Sequence, residues 1–131
     1  VDGKRIYLRG LCPDDVNERY YCWMNDPEVT RFLESRFYPI TPAELRDFVT
    51  AHTSNLHNVF LAIVLKEKGT LIGNIKLGGI DWVHRFANVG LLIGEKDYWG
   101  QGYASEAIAL VTEYALILFV RVIRKRHLPP T

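Results

Sequence analysis

The chain has 131 residues, 48% of them hydrophobic, and a formal net charge of +1. That length suits one domain with a modest core. The near-neutral charge excludes a global field that would draw the protein to nucleic acid or to an anionic membrane, and the apolar run Ala115 to Val120 is far too short to span a bilayer.

In chain order, Lys4 to Arg9 alternates polar and apolar residues and predicts a first strand. Pro13-Asp14-Asp15 opens a helix predicted to run to about Met24, with acidic residues in its first turn. Asn25-Asp26-Pro27 ends it, because Pro27 disfavours helix at Asp26. Cys12 and Cys22 lie in this polar region without metal-ligand spacing. With no signal peptide evident, a reduced, cytoplasmic protein is a simpler reading than a disulfide.

Thr41-Pro42-Ala43-Glu44 is a capping box with proline at the first helical position. It predicts a helix to about Leu56 that buries Leu45, Phe48 and Val49. Val59 to Lys66 reads as a strand, Glu67 to Thr70 as a hairpin turn, and Leu71 to Gly79 as the partner strand. Ile80 to Phe86 reads as a loop, and Ala87 begins a central strand. The expected class is α/β (α+β): a mixed, mostly antiparallel sheet flanked by helices, in the order β-α-α-β-β-β-α. Repeats and linkers are absent, so residues 1–131 are expected to form a single domain.

Asn88 to Leu118 carries the strongest signal. Val89, Leu91, Leu92 and Ile93 suit a strand buried on both faces, and Glu95, Lys96 and Asp97 mark its exit to solvent. Trp99-Gly100-Gln101-Gly102 forms a turn. From Tyr103 onward Ala104, Ala107, Ile108, Val111, Ala115 and Leu118 recur at helical spacing. The first turn of such a helix has amides without intrahelical partners and a positive dipole end. Glycines just before it let an anion approach the backbone. Gln101 to Ser105 therefore suits a phosphate or pyrophosphate; the plain alternative is a tight turn. Gly102-Tyr103-Ala104 does not fit a Walker A loop, and Ser105 stands where a dinucleotide fingerprint has its third glycine.

The run LLIGEKDYWGQGYASEAI resembles the acetyl-coenzyme A signature of the GNAT N-acetyltransferase superfamily, Arg/Gln-x-x-Gly-x-Gly/Ala after a strand. Gly102 and Ala104 match its last two fixed positions, while Trp99 occupies the Arg/Gln position. Its wording is similar to the branch of ribosomal-protein alanine, polyamine and nucleotide-amino-sugar N-acetyltransferases. Trp23-Met24-Asn25-Asp26-Pro27-Glu28-Val29 also resembles that branch, where the segment borders the acceptor site; Trp23 itself reads as core packing. The resemblance covers residues 4 to 118. The superfamily continues with a strand, a helix and two further strands, so the expected fold lacks its C-terminal third. Val120 to Ile123 is a candidate fifth strand, and the basic cluster from Arg121 to Arg126 reads as a solvated tail.

The resemblance implies acetyl transfer from acetyl-coenzyme A, with no metal, to a primary amine of a small molecule or a peptide N-terminus by direct attack. Trp99, Gly100, Gln101, Gly102, Tyr103, Ala104 and Ser105 would hold the coenzyme. Leu92 and Ile93 sit where the family's strand pairs with the pantetheine and a backbone N–H polarises the thioester. The branch often has Glu at the position of Asn88, and Asn cannot accept a proton. Asp81, His84 and Glu95 are the nearby candidates for the base, beside a water chain. The superfamily's usual acid, a tyrosine on a later helix, has no counterpart; Tyr98 and Tyr103 read as core or adenine contacts. The alternative is a coenzyme-binding fragment without turnover, or a homodimer exchanging strands through an exposed sheet edge.

Overall fold

The computed structural model describes residues 1–30, 41–53, 58–81 and 86–126, with 52–53, 86 and 119–126 by backbone alone. The strands β1 (Ile6–Gly10), β2 (Val59–Leu65), β3 (Leu71–Asp81) and β4 (Phe86–Ile93) form one sheet in the order β1-β2-β3-β4. Every pairing among them is antiparallel. The helices are α1 (Glu18–Met24), the short α2 (Pro27–Thr30), α3 (Pro42–Thr53) and the long α4 (Tyr103–Arg126). The expected antiparallel sheet flanked by helices is therefore present.

Strand alternation divides the core. Along β2, Phe60, Ala62 and Val64 face one layer, while Ile63 and Leu65 face the other. The first layer holds Tyr20 and Trp23 of α1 with Leu45 and Val49 of α3. The second holds Ala107, Leu110 and Val111 of α4 against Ile6, Leu8, Ile72 and Ile75. The polar groups in the first layer are satisfied: the Asn74 side-chain amide donates to the Tyr20 hydroxyl at 2.9 Å. Burial pushes that hydroxyl's pKa well above its ordinary value, so it stays neutral.

Local chemistry explains most boundaries. Thr41 Oγ1 accepts from the Glu44 amide at 3.2 Å and donates to its carboxylate at 2.9 Å, which starts α3 where the capping box predicted. The expected end of α3 near Leu56 lies outside the described residues.

Several expectations change. The first helical segment is split: a 3-10 turn at Pro13–Asp15 precedes α1, which Asn17 caps by accepting from the Tyr20 amide at 2.9 Å. Ile80 and Asp81 belong to β3 and Phe86 to β4, so the predicted loop is shorter. Phe48 is 40% and Ile108 44% exposed, so both face outward from helices whose other apolar positions fill the core. Cys12 and Cys22, by contrast, are free and exposed, in line with the reduced reading.

The largest corrections concern β4 and the C-terminal segment. β4 is an edge strand among the described residues, not a central one, and Val89 is 49% exposed. Val120 to Ile123 is helical, because α4 continues without interruption to Arg126. No glycine or proline stands between Tyr103 and His127 to stop it. No helix among the described residues is long and apolar enough to cross a membrane.

Candidate coenzyme-binding cleft

The connection from β4 to α4 is built by residues from distant parts of the chain. It leaves β4 at Gly94, whose amide donates to the Ile72 carbonyl at 2.8 Å. A Cβ at this position would stand 2.0 Å from the Trp23 ring, so only glycine lets the strand end pass beneath the indole. Trp23 is buried, as expected for a core residue, and its Nε1 donates to Glu95 Oε1 at 3.2 Å. Arg19 Nε pairs with the same carboxylate oxygen at 3.1 Å. Lys96 then ties the connection to α2, with Nζ at 2.9 Å from Asp26 and 2.8 Å from Glu28. Donating to these two carboxylates raises the Lys96 pKa, and the bond from Lys96 lowers that of Asp26.

The turn itself is equally fixed. Trp99 Nε1 donates to the Ile93 carbonyl at 2.7 Å, and Gln101 Nε2 donates to the Asp97 carbonyl at 2.5 Å. Gly100 and Gly102 have φ of 71° and 85°, backbone that a side chain would strain. Arg5, just before β1, donates from Nη1 to the Gln101 carbonyl at 2.8 Å and from Nε to Glu106 Oε1 at 2.9 Å. Glu106 Oε2 also accepts from the amides of Arg5 at 2.9 Å and Ile6 at 3.2 Å. Partial burial raises the carboxyl pKa, but these hydrogen bonds and the Arg5 charge outweigh it and hold it below its ordinary value.

Glu106 is the first amide bonded back within α4, to Gly102 O at 3.1 Å. The amides of Tyr103, Ala104 and Ser105 are thus the free donors of its first turn. Because Glu106 turns toward Arg5 and β1, the negative charge nearest these donors is engaged away from them. They open on a cleft of about 450 Å³, bounded by Glu28 and Val29 of α2, by Leu91 to Ile93 of β4, and by the glycine turn.

The β4 register defines what the strand offers this cleft. Gly94 bonds to Ile72, and Leu92 is opposite Asn74, so those residues turn their backbone groups toward β3. The alternate residues Val89, Leu91 and Ile93 turn their N–H and C=O groups outward along the sheet edge. The Ile93 carbonyl accordingly accepts from the Trp99 indole. Of the two residues expected to offer their backbone here, Leu92 and Ile93, Ile93 turns outward, while Leu92 faces β3 and Leu91 takes its place.

Of the predicted coenzyme residues, Leu92, Ile93, Trp99, Gly100, Gly102, Tyr103, Ala104 and Ser105 line this one cleft. Gln101 does not line it; its side chain and carbonyl serve the turn's internal bonds. The predicted catalytic residues are not brought together. Asp81 ends β3 opposite Phe86, about 23 Å of strand away from Ile93. Glu95 is beside the cleft but held by Arg19 and Trp23. His84 lies outside the described residues. Sequence reasoning missed Arg5, for which no local signal exists, and Glu28 and Val29, which stand in the Asn-Asp-Pro-Glu-Val segment already noted as bordering the family's acceptor site.

The fold and this strand–glycine–helix junction are those of an acetyltransferase domain. The model of the acetyltransferase (GNAT) domain family matches residues 5–128, and the chain belongs to that family. It is 29% identical over 119 residues to an uncharacterised N-acetyltransferase of Bacillus licheniformis, covering 85% of this chain and 62% of that protein. Among solved structures, a spermidine N-acetyltransferase from Vibrio cholerae in complex with CoA and spermine shares the fold. The TM-score is 0.72 and the identity 21%, over 85% of this chain and 63% of that one. A GNAT-family acetyltransferase from Bacillus anthracis is similar at a TM-score of 0.71 and 21% identity, over 87% of this chain and 64% of that one. The chain thus spans somewhat less than two thirds of the length of these relatives.

Proposed function

We propose that the chain binds acetyl-coenzyme A in the cleft between β4 and α4 and transfers its acetyl group to a primary amine. The observation that carries this reading is the pairing of free first-turn amides of α4 with outward backbone groups of β4 in one cleft. The amides of Tyr103, Ala104 and Ser105 suit a pyrophosphate, since a helix N-terminus combines free donors with a favourable dipole. The edge of β4 suits the pantetheine, whose amides add to the sheet as a further strand would. An outward N–H of Leu91 or Ile93 would polarise the thioester carbonyl, electrostatic help worth roughly 3 kcal/mol.

In the transfer the amine nitrogen forms a bond to the acetyl carbon while the carbon–sulfur bond breaks. The amine loses its proton to His84 or Glu95, or to water, since Asp81 ends β3 far from the cleft, and the departing thiolate takes up a proton from water. Asp26 and Glu28 share the single cation Lys96 at the rim of the cleft, which leaves one carboxylate charge in excess to attract a cationic amine. The acceptors to screen first are polyamines, since the Vibrio cholerae neighbour is in complex with spermine, then amino sugars and peptide N-termini.

Calorimetric titration of acetyl-coenzyme A tests the binding step, with a Gly102→Glu variant as control. That change places a carboxylate where the pyrophosphate would lie. Micromolar binding by the parent chain, lost in a variant that keeps its circular dichroism, is expected; a folded parent chain that does not bind would refute the reading. Binding without turnover of any screened amine would favour a coenzyme-binding role instead.

A further inference from the structure

We infer that a second, basic pocket beside the cleft takes the 3′-phosphate of the coenzyme's adenosine, with the adenine against Tyr98 and Tyr103; this rests on the coenzyme reading above and extends it. The pocket has a volume of about 330 Å³ and lies between the start of β1, the β2–β3 hairpin turn and the first residue of α4. Lys4, Arg5, Lys66 and Lys68 line it, with Glu67 the lone acid. Four cations against one carboxylate is a marked local excess in a chain whose net charge is +1. Arg5 is paired with Glu106, but Lys4, Lys66 and Lys68 form no ion pair with another described residue. The Lys66 amide donates to the Arg5 carbonyl at 2.9 Å, which fixes the hairpin turn against β1 and brings the lysines together.

The pocket adjoins the cleft. Tyr98 and Tyr103 line both, packed edge to face with ring centroids 5.5 Å apart. The Arg5 guanidinium lies 4.1 Å over the Tyr103 ring, and its Nη2 stands 3.3 Å from where a Gly102 side chain would begin. A pyrophosphate on the α4 amides would therefore have the attached ribose at the lip of the basic pocket. A phosphomonoester carries about −1.5 to −2 charges at neutral pH and accepts from several cations at once. Lysines bind it as point charges, and aromatic rings offer a base a stacking surface.

The test compares coenzyme A with dephospho-coenzyme A, which lacks only the 3′-phosphate, by calorimetry on the full chain and on a Lys66→Gln, Lys68→Gln variant. Both lysines are exposed, so the variant should fold. The expected result is roughly tenfold tighter binding of coenzyme A to the parent chain, a charge-assisted contact reduced by solvent. In the variant the two coenzymes should agree within about twofold, with the affinity for dephospho-coenzyme A unchanged. Equal affinities in the parent chain, or a preference that survives in the variant, would overturn this subsite while leaving the coenzyme reading intact. If neither coenzyme binds, the coenzyme reading fails, and adenosine 3′,5′-bisphosphate decides the pocket separately. Binding of the bisphosphate that the variant loses would support the pocket, and no binding would overturn it.

Discussion

Two connections leave the same end of the sheet, and they are held in different ways. The β2–β3 hairpin turn is closed by neighbours: the Gly69 amide donates to the Leu65 carbonyl at 2.8 Å and the Leu65 amide to Thr70 at 2.9 Å. The β4–α4 connection is held by residues far away in sequence. Arg5 grips Gln101 and Glu106, Trp23 covers Gly94, and Lys96 reaches Asp26 and Glu28. Both contain glycine at positive φ, so local strain does not distinguish them. What distinguishes them is preorganisation. A turn that only reverses the chain needs a few local bonds. A turn that presents free amides to an anion must hold them in place before the ligand arrives, because ordering them on binding would subtract from affinity.

The sharpest way to break this difference is at Gly94. A methyl group there would meet the Trp23 ring at 2.0 Å, and neither the strand end nor a buried indole can yield easily. Gly94→Ala should destabilise the fold by about 3 kcal/mol, as overpacking at a tight site does. Urea denaturation followed by tryptophan fluorescence would measure it. The local hairpin offers no site of similar cost, since nothing lies within 4 Å of a Cβ at Gly69.

Next in size is the Arg5–Glu106 clamp. Glu106→Gln removes the charge while keeping one acceptor oxygen, and should cost about 2 kcal/mol by weakening bonds to Arg5 and Ile6. The folded-state pKa of Glu106 is depressed below its ordinary value of 4.5. Its contribution is therefore complete above that unfolded value and is lost as pH falls through the folded one. Parent and variant should differ in stability at pH 7 and converge as pH falls below 4.5 and through the depressed folded value. Denaturation midpoints measured across that range check the prediction; a constant difference down to pH 2 would refute it.

This contrast also explains which parts could be read from sequence. The capping box at Thr41, the hairpin around Gly69 and the start of α4 at Tyr103 all rest on residues within a few positions of one another. The Arg5–Glu106 pair is separated by 101 residues, and nothing near Arg5 marks it as part of the turn. The position of β4 was hidden for a different reason. Val89, Leu91, Leu92 and Ile93 make an apolar run whether the strand is central or at an edge, because the run does not record which neighbours cover it. The β-branched residues Val120, Val122 and Ile123 suggest a strand, but propensity is a weak prior against a helix already propagating from Tyr103 without a breaker. Most of the cleft lining was legible because the glycine turn is local. Its opposite wall was not, because Glu28 and Val29 reach the cleft through tertiary placement alone.

Within the turn, Trp99→Phe should remove the indole bond to the Ile93 carbonyl while leaving most of the ring, at a cost of about 1 kcal/mol. Acetyl-coenzyme A affinity should fall with it, since the same bond fixes the end of β4 beside the glycine turn. Thermal melting and titration of this variant together separate the two effects.

The smallest expected effect on stability gives the cleanest comparison. Gly69 and Gly100 have φ of 65° and 71°, and in each case nothing lies within 4 Å of a Cβ. Replacing either by alanine should therefore cost about the same, roughly 1 kcal/mol of backbone strain, and no steric clash should add to it. Binding should separate them. Gly100 lines the cleft, where a new methyl group would stand against the coenzyme; Gly69 does not. Gly100→Ala should weaken acetyl-coenzyme A binding by roughly tenfold, the loss of about 1.4 kcal/mol, while Gly69→Ala leaves it unchanged. Equal losses of affinity in the two variants would mean that binding merely follows stability, and that the backbone of the β4–α4 turn meets the ligand no more than that of the hairpin beside it.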